Sequence, residues 1–426
     1  MDESMGVPAL PVATLATLGA AAIVGLGLVL LVQKAPRAAI VAFLLVIAFV
    51  PTWIELPLGF IRPTLASAVA GLTVIGLAAR RPRMEWGLPD LLAGFLVVAA
   101  AGPMLFGFLT LNSFLGVFVI WCTAFVAGRL ALLAVDPGWL YAAIAVIFGV
   151  VALLAVVEFQ TGWHALASWG PQNGAWATWA PIQERSGLSR AEGAFGHSIA
   201  LGNSLAMAAV LTLDADLSRR LRLGLIALMV AGIAVTLSRG ALVSLFVGLI
   251  LAVVMLSRPR VKQLRAGLAA ALVVAVVAGA PFVLGVFSEA GDEASTSAEY
   301  RGDLVRLVSS IELVGRSSAI QESATGTASV GGFQSIDNQF LVFGLSYGWL
   351  TVGLVTCLFA LGAVALVSGR GSVPTAALVA QVPALLTVAL ITQYAVFVWF
   401  VFGLACAAEQ LRRHESVAEP VPVLRS

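Results

Sequence analysis

The sequence predicts an all-α polytopic membrane protein with about 12–13 transmembrane helices. Hydrophobic residues make up 60% of the 426 positions and charged residues only 11%, against about 25% charged in soluble domains. Apolar runs of about 17–22 residues recur along the chain, and each is long enough to cross about 30 Å of hydrocarbon. Backbone groups in lipid need internal partners, and no alternating ten-residue pattern of a barrel occurs, so the runs are expected to be helices.

Basic clusters separate the apolar runs and set the predicted orientation. Lysine and arginine concentrate in short cytoplasmic loops, and placing every cluster inside gives one consistent path with the N-terminus outside. Residues 1–32 lack a basic segment and an Ala-x-Ala site, so they predict a first membrane helix and no removable signal peptide. The predicted spans are 12–32, 38–54, 64–79, 88–109, 112–134, 138–158, 197–213, 222–238, 240–256, 266–287, 339–367, 374–392 and 394–410.

This path leaves two long extracytoplasmic loops. Four tryptophans in the first loop, Trp163, Trp169, Trp176 and Trp179, favour a position at the lipid headgroups. The chain then divides into N-terminal membrane helices (1–158), a Trp-rich extracytoplasmic loop (159–196), central membrane helices (197–287), a second extracytoplasmic loop (288–338), C-terminal membrane helices (339–412) and a cytoplasmic tail (413–426).

The second loop contains an amphipathic stretch, "AEYRGDLVRLVSSIELVGRSS". Its apolar residues fall on one helical face, which predicts a helix lying along the outer membrane surface. They are Leu304, Leu307, Val308, Ile311 and Val314.

Arg239 interrupts an otherwise apolar stretch with no acidic residue nearby. Arg222 and Arg258 flank it at about 25 and 28 Å of helix, roughly one bilayer on each side. If both flanking clusters are cytoplasmic, Arg239 lies at the tip of a tight hairpin on the far side, where "SRG" suits a turn. The alternative is an arginine that merely extends to the interface and anchors a helix end.

Further arginines fall on the same predicted face. Arg190 stands in "SGLSRAEGAFGHSIALGN", Arg301 begins the amphipathic stretch, and Arg62 lies at the outer end of the third span. Too few acids lie close in sequence to pair them all. Because a guanidinium group binds phosphate with two parallel hydrogen bonds, we expect a diphosphate at the outer membrane surface.

Four segments together resemble the O-antigen ligase and O-antigen polymerase superfamily. "TLSRGALVSLFVGLI" is similar to its Ser-Arg-Gly hairpin, and "SRAEGAFGHSIALGN" to its entry into the helix after the first long loop. "YRGDLVRLVSSIELVGRSSA" resembles its Arg-led extracytoplasmic helix, and "DNQFLVFGLSYGWLTVGLV" its segment that opens with His-Asn or Asp-Asn. Their order and spacing cover roughly residues 180–360.

The resemblance implies a GT-C-like fold and a glycan transferase in the cytoplasmic membrane with its site on the extracytoplasmic side. The donor would be an oligosaccharide on an undecaprenyl-like diphosphate, and the acceptor a glycan or a lipid. Arg190 and Arg239 match family positions that bind the diphosphate. Ligases carry histidine where this chain has Asp337, so the resemblance favours a polymerase or another branch of the superfamily.

The reaction requires stabilisation of the departing diphosphate, which arginines in a partly dry site provide, and a base for the acceptor hydroxyl. Asp337 is the candidate base, and the alternative is a helix N-cap. His197 is the second candidate and is expected to titrate near neutrality, unless it only bonds to backbone. Glu192 could orient Arg190. The remaining predicted substrate contacts are Arg62, Arg301, Asn338 and Tyr347.

The expected partners are the donor, the acceptor and the bilayer, without nucleic acid. Because the sequence has no His-x-x-x-His or Cys-x-x-Cys motif, we expect neither a metal nor a cofactor. A lipid-linked glycan flippase is the main alternative from another class, although such transporters more often show paired halves and charges at mid-membrane. A non-enzymatic scaffold would leave the repeated arginines unexplained.

Overall fold

The computed structural model describes residues 27, 29–56, 62–185, 187–257, 259–269, 304, 306–322, 328–330, 333 and 336–418. This part of the chain is mostly helical, in agreement with the predicted all-α membrane class. Five helices within it are long and apolar enough to cross a membrane: Leu88–Phe106, Leu111–Ala134, Pro137–Thr161, Trp349–Val367 and Thr392–His414. The predicted first span lies largely outside the described residues.

Fifteen α-helices are described with both ends. They are α1 (Pro36–Phe49), α2 (Leu65–Ala78), α3 (Leu88–Ala101), α4 (Leu111–Gly116), α5 (Thr123–Ala134), α6 (Pro137–Thr161), α7 (Gly174–Trp179), α8 (Ser198–Thr212), α9 (Arg219–Val235), α10 (Arg239–Met255), α11 (Gln339–Tyr347), α12 (Trp349–Val367), α13 (Val373–Val379), α14 (Val382–Leu385) and α15 (Thr392–Ala418).

Two short antiparallel hairpins accompany the helices. Strand β1 (Glu184–Arg185) pairs with β2 (Leu188–Ser189), and β3 (Ile320–Glu322) pairs with β4 (Ala328–Val330). The first hairpin lies directly before the chain enters α8.

Helices α5 and α15 form the centre of the bundle by close backbone contact. A Cβ on Gly128 would lie 1.9 Å from the Phe400 carbonyl oxygen, and one on Gly403 would lie 1.9 Å from that of Phe125. Small residues of this kind let membrane helices approach closely. Any larger side chain at Gly128 or Gly403 would push the two helices apart.

The basic clusters share one end of the bundle, which we call the basic end. The Arg80 guanidinium donates to the Gln33 carbonyl at 3.0 Å, and that of Arg222 donates to the Arg260 carbonyl at 3.0 Å. The Arg37 guanidinium lies 5.1 Å from the Trp139 ring centre. Clusters far apart in sequence therefore meet, as expected if they face one side of a membrane.

A buried ion pair at this end was missed by the sequence analysis. Arg129 and Asp90 are both inaccessible, with Nε and Oδ1 3.0 Å apart. Arg129 also donates to the Glu85 carbonyl at 2.6 Å and to Gln410 Oε1 at 3.0 Å. These contacts join α3, α5 and α15.

The predicted helix over the amphipathic stretch is found only at its start among the described residues. Leu304 and Arg306 are helical and a 3-10 turn follows at Leu307–Ser310, but the chain beyond it leaves the helix and bonds to the rest of the protein. Gly315 N donates to the Tyr347 carbonyl at 3.1 Å and Ser317 N to the Leu345 carbonyl at 2.7 Å. Leu307 packs on α11 in place of lipid. These tertiary backbone bonds replace the helical ones that periodicity predicted.

Two predicted spans are interrupted. The 339–367 run breaks at Gly348, whose φ of +91° ends α11 before α12 begins. The 374–392 run forms the short α13 and the single-turn α14, because Pro383 has no backbone N–H to donate within a continuous helix. The final helix α15 begins near the predicted position and runs beyond it.

Candidate functional site

The turn between α9 and α10 forms the centre of the candidate site. It lies at the end of the bundle opposite the basic end, as the predicted hairpin requires. Leu237 adopts φ +50°, a conformation that non-glycine residues rarely take and that marks a constrained turn. A Cβ on Gly202 of α8 would lie 2.8 Å from Thr236 Oγ1, so α8 packs tightly under the turn.

Two arginines bind the backbone of this turn. Arg190 Nε donates to the Thr236 carbonyl at 2.8 Å, and Arg185 Nη1 donates to the Leu237 carbonyl at 3.0 Å. Cations are favoured at the last carbonyls of a helix, here α9, because of the helix dipole. Burial and the neighbouring Arg185 charge lower the pKa of Arg190. Arg185 was missed in the sequence because its placement depends on the β1–β2 hairpin.

Arg239 is the first residue of α10, and its side chain is exposed. Ser238 Oγ caps the helix by accepting from Ala241 N at 3.3 Å. Among the described residues, the Arg239 side chain has no hydrogen-bond or ion-pair partner. The spacing prediction holds for the turn: α9 ends at Val235 and Arg239 begins the next helix. The tight hairpin does not form, because α9 and α10 both pack on α8 and hardly on each other.

Glu192 lies beside Arg190 and is 2% exposed. Its Oε1 accepts from Gln183 N at 3.0 Å. Gln183 in turn accepts from Ser198 Oγ at 2.9 Å and from Arg190 at 3.4 Å through its amide oxygen. Burial raises the pKa of Glu192 to about 7. This carboxyl therefore changes charge near neutral pH next to the arginines.

His197 precedes α8, and its Nδ1 accepts from Ile199 N at 3.2 Å. Burial, followed by the Arg190 charge, lowers the pKa of His197 to about 4. The prediction that His197 titrates near neutrality is wrong, because its ring is held away from water beside a cation. The backbone-bonding alternative describes this ring.

A cavity of about 180 Å³ lies under the Trp-rich loop on the same side of the bundle. Its lining is mostly apolar, with Trp53, Trp163 and Trp179 among the rings and Glu158 and Glu192 as the acids. Glu158 accepts from the Glu192 backbone N–H at 3.1 Å and so fixes the loop that carries Glu192.

The segment that carries Asp337 begins α11. The cap of this helix is Asn338, whose Oδ1 accepts from Leu341 N at 3.0 Å. The N-cap alternative for Asp337 is therefore wrong, and Asp337 is exposed before the cap. Asn338, predicted as a substrate contact, uses its amide oxygen on the helix.

Close neighbours of Asp337 and Arg239 in the chain contact one segment, residues 386–391. Gln339 Oε1 accepts from Leu390 N, and Thr387 Oγ1 would lie 3.8 Å from a Cβ on Gly240. The segment thus connects the start of α11 with the start of α10. This arrangement places the candidate base on the side of the molecule that carries the arginines.

The other predicted site residues lie elsewhere or outside the described residues. The Tyr347 hydroxyl donates to the Ser113 carbonyl at 3.4 Å, and its ring packs on Trp121, away from the turn. Arg62 is exposed and interacts with the Glu55 carboxyl. Arg301 falls outside the described residues.

One acidic motif was overlooked when no metal was expected from the sequence. Asp214 and Asp216 form an Asp-x-Asp pair at the end of α8. They lie at the basic end, where Asp216 Oδ1 pairs with Arg260 at 3.0 Å. The pair is thus remote from the turn and engaged with an arginine.

No protein-family model matches the chain, and no curated protein matches its sequence.

Proposed function

We propose that the protein is a membrane glycan transferase that uses a donor linked to an undecaprenyl-like polyprenyl diphosphate. It moves an oligosaccharide to a glycan or lipid acceptor on the outer face of the cytoplasmic membrane, and it is polymerase-like more than ligase-like. The observation that carries the proposal is the convergence of Arg185, Arg190 and Arg239 on one turn.

Arg239 is the group that contacts the diphosphate. Its guanidinium is exposed, has no partner among the described residues and stands at the N-terminus of α10. Helix N-termini attract phosphate through free backbone N–H groups and the dipole, and the planar guanidinium adds two parallel hydrogen bonds. Each feature alone is common, but together they fit a dianionic diphosphate diester that gains a further negative charge as it leaves.

Arg185 and Arg190 hold the turn and add positive charge behind it. Buried charge acts through a lower effective dielectric than charge in water, so it stabilises a developing anion more strongly. As the bond between the anomeric carbon and the phosphate oxygen breaks, the electron pair stays on the diphosphate. The new bond forms to the acceptor oxygen.

Asp337 is our candidate for the proton acceptor. Asp337 is exposed and is not the helix cap, and its neighbour Gln339 bonds to the 386–391 segment that Gly240 also approaches. An aspartate in place of the ligase histidine supports a polymerase-like reaction. The proton of the acceptor hydroxyl passes to this carboxylate as the glycosidic bond forms.

Reconstitution separates this function from a flippase. Vesicles containing the protein, a carrier-diphosphate glycan and an acceptor should release free carrier diphosphate, whereas a flippase moves intact donor and releases none. Arg239→Ala and Arg190→Ala should abolish release. Arg220→Ala, an exposed arginine at the basic end, is the matched control and should retain it.

Full release by Arg239→Ala would overturn the assigned role, and movement of donor without release would favour the flippase. Normal turnover by Asp337→Asn would show that Asp337 is not the base. It would not contradict the proposed transferase activity.

A further inference from the structure

The Trp-rich cavity adds a second ligand site to the arginine turn. We propose that this cavity binds one pyranose ring of the glycan substrate, with a sugar hydroxyl donating to Glu192 and the ring packing against tryptophan. The inference deepens the proposed function, on which its biological role rests, but the binding itself can be measured without any transfer reaction.

Glu192 provides the first argument. Its Oε1 accepts from Gln183 N, and its Oε2 has no hydrogen-bond partner among the described residues. Glu192 lines the cavity and is 2% exposed, so its second oxygen has little access to bulk water and no protein donor to replace it. A hydroxyl donor in the cavity would satisfy it, whereas a hydrocarbon chain would leave it unsatisfied.

The aromatic lining provides the second argument. Trp53 is fixed, since it is 1% exposed and its Nε1 donates to the Trp169 carbonyl at 2.6 Å. Trp163 is 70% exposed and so is free to cover a ligand. Aromatic faces carry negative potential and large apolar area, which suits the C–H face of a pyranose while its hydroxyls reach a carboxylate.

The size and position of the cavity provide the third argument. At about 180 Å³ it is smaller than the roughly 300–1,000 Å³ of drug-sized ligand pockets, so it suits one ring of an oligosaccharide. Arg190 and Glu192 lie on the same short loop, which places the cavity next to the proposed diphosphate site. A sugar in the cavity would be close to the carrier that delivers it.

The charged surroundings of Glu192 are consistent with a neutral ligand. Glu158 lies on α6, its carboxylate bonded to His164 Nδ1 at 2.7 Å and to backbone N–H groups. The Arg190 charge also acts on Glu192, and Arg185 binds the turn. Because Glu158 and the two arginines already place charges of both signs around Glu192, an uncharged hydroxyl is the ligand group that fits here.

Binding of free sugars to the protein in nanodiscs tests the inference. Saturation-transfer NMR with a panel of methyl hexopyranosides and N-acetylhexosamines should detect at least one bound sugar. Glu192→Ala and Trp163→Ala should each weaken binding about tenfold, the effect of losing one good hydrogen bond or aromatic contact. Trp169→Ala, a tryptophan of the same loop outside the cavity lining, should bind normally.

Glu192→Gln guards against misfolding, because it keeps the shape and one acceptor oxygen, and it should retain measurable binding. If no sugar of the panel binds, or if binding is unchanged in both Glu192→Ala and Trp163→Ala, the inference is wrong. Saturation by farnesol in place of sugars would assign the cavity to hydrocarbon and also overturn it. None of these results tests the transferase activity, which the release of carrier diphosphate tests separately.

Discussion

The two ends of the bundle use arginine differently. At the basic end, Arg129 is paired with Asp90, and Arg222 donates to the backbone carbonyls of Leu213 and Arg260. At the other end, Arg190 holds a turn and Arg239 stands exposed without a partner among the described residues. The buried arginines of both ends thus bond to carboxylates or backbone carbonyls, whereas Arg239 presents its guanidinium at the surface with no partner among the described residues.

The largest expected effect is a loss of protein stability when the buried ion pair at the basic end is broken. Arg129→Met should destabilise the protein by about 3–5 kcal/mol, because it leaves the Asp90 carboxylate buried without its partner. Thermal unfolding in detergent measures this change. The double variant Arg129→Met with Asp90→Leu should recover much of the loss, and no recovery would mean that the ion pair is not the cause.

The matching change at the other end should affect activity and leave stability intact. Arg239→Ala should lower turnover about 10²–10³-fold, the range seen when one donor to a developing anion is removed, with an unchanged melting temperature. Arg239→Lys should restore only part of the rate, since an ammonium cannot make the two parallel bonds. A large drop in melting temperature would show that Arg239 is structural like Arg129.

The third effect is a pH dependence of protein stability that comes from Glu192, at the end of the bundle that carries the α9–α10 turn. The pKa of Glu192 is raised from 4.5 to about 7 in the folded protein, so the folded state holds this proton more tightly than the unfolded state. Stability contributed by Glu192 is therefore full below about 4.5 and is lost as the pH rises towards 7, by on the order of 1.4 kcal/mol per pKa unit.

His197 has the opposite effect on the pH dependence of stability, over an overlapping pH range. Its pKa is lowered from 6.5 to about 4, so its contribution rises with pH between those values. In wild type the two opposite slopes nearly cancel between about pH 4.5 and 6.5. Glu192→Gln removes only the Glu192 slope, so the melting temperature of this variant should rise relative to wild type as the pH increases from about 5 to 6.5. Identical profiles would show that Glu192 is not buried as described.

The smallest expected effect concerns Arg185. Arg185→Gln loses the charged bond to the Leu237 carbonyl and one positive charge behind the turn, and it should lower turnover about tenfold, the cost of one such bond. Arg220→Gln at the basic end is the control and should have no effect. Equal rates for both variants would remove Arg185 from the site.

The sequence predicted the helical membrane class and the turn before Arg239, because apolar run length and the spacing of basic residues are local signals. The packing of α9 and α10 on α8 instead of on each other could not be predicted in this way. Arg129 was missed although a signal existed: it stands in an apolar run, where an ionisable residue usually needs a partner. The partner, Asp90, lies on another helix and could not be chosen from sequence alone.

Tertiary contacts account for the other misses. The amphipathic stretch has a helical period, yet its backbone after Ser310 bonds to Phe108, Leu345 and Tyr347. Periodicity does not reveal such tertiary bonds. Likewise, nothing local shows that Arg185 reaches the Leu237 carbonyl or that the cap of α11 is Asn338 and not Asp337.

The most direct test of the central claim is the binding of farnesyl diphosphate to the protein in nanodiscs. We predict that wild type and Arg220→Ala bind it with the same Kd, and that Arg239→Ala weakens binding at least tenfold, as expected for a charged hydrogen bond worth about 1.5–3 kcal/mol. Binding by Arg239→Ala that is as tight as in wild type would contradict the account.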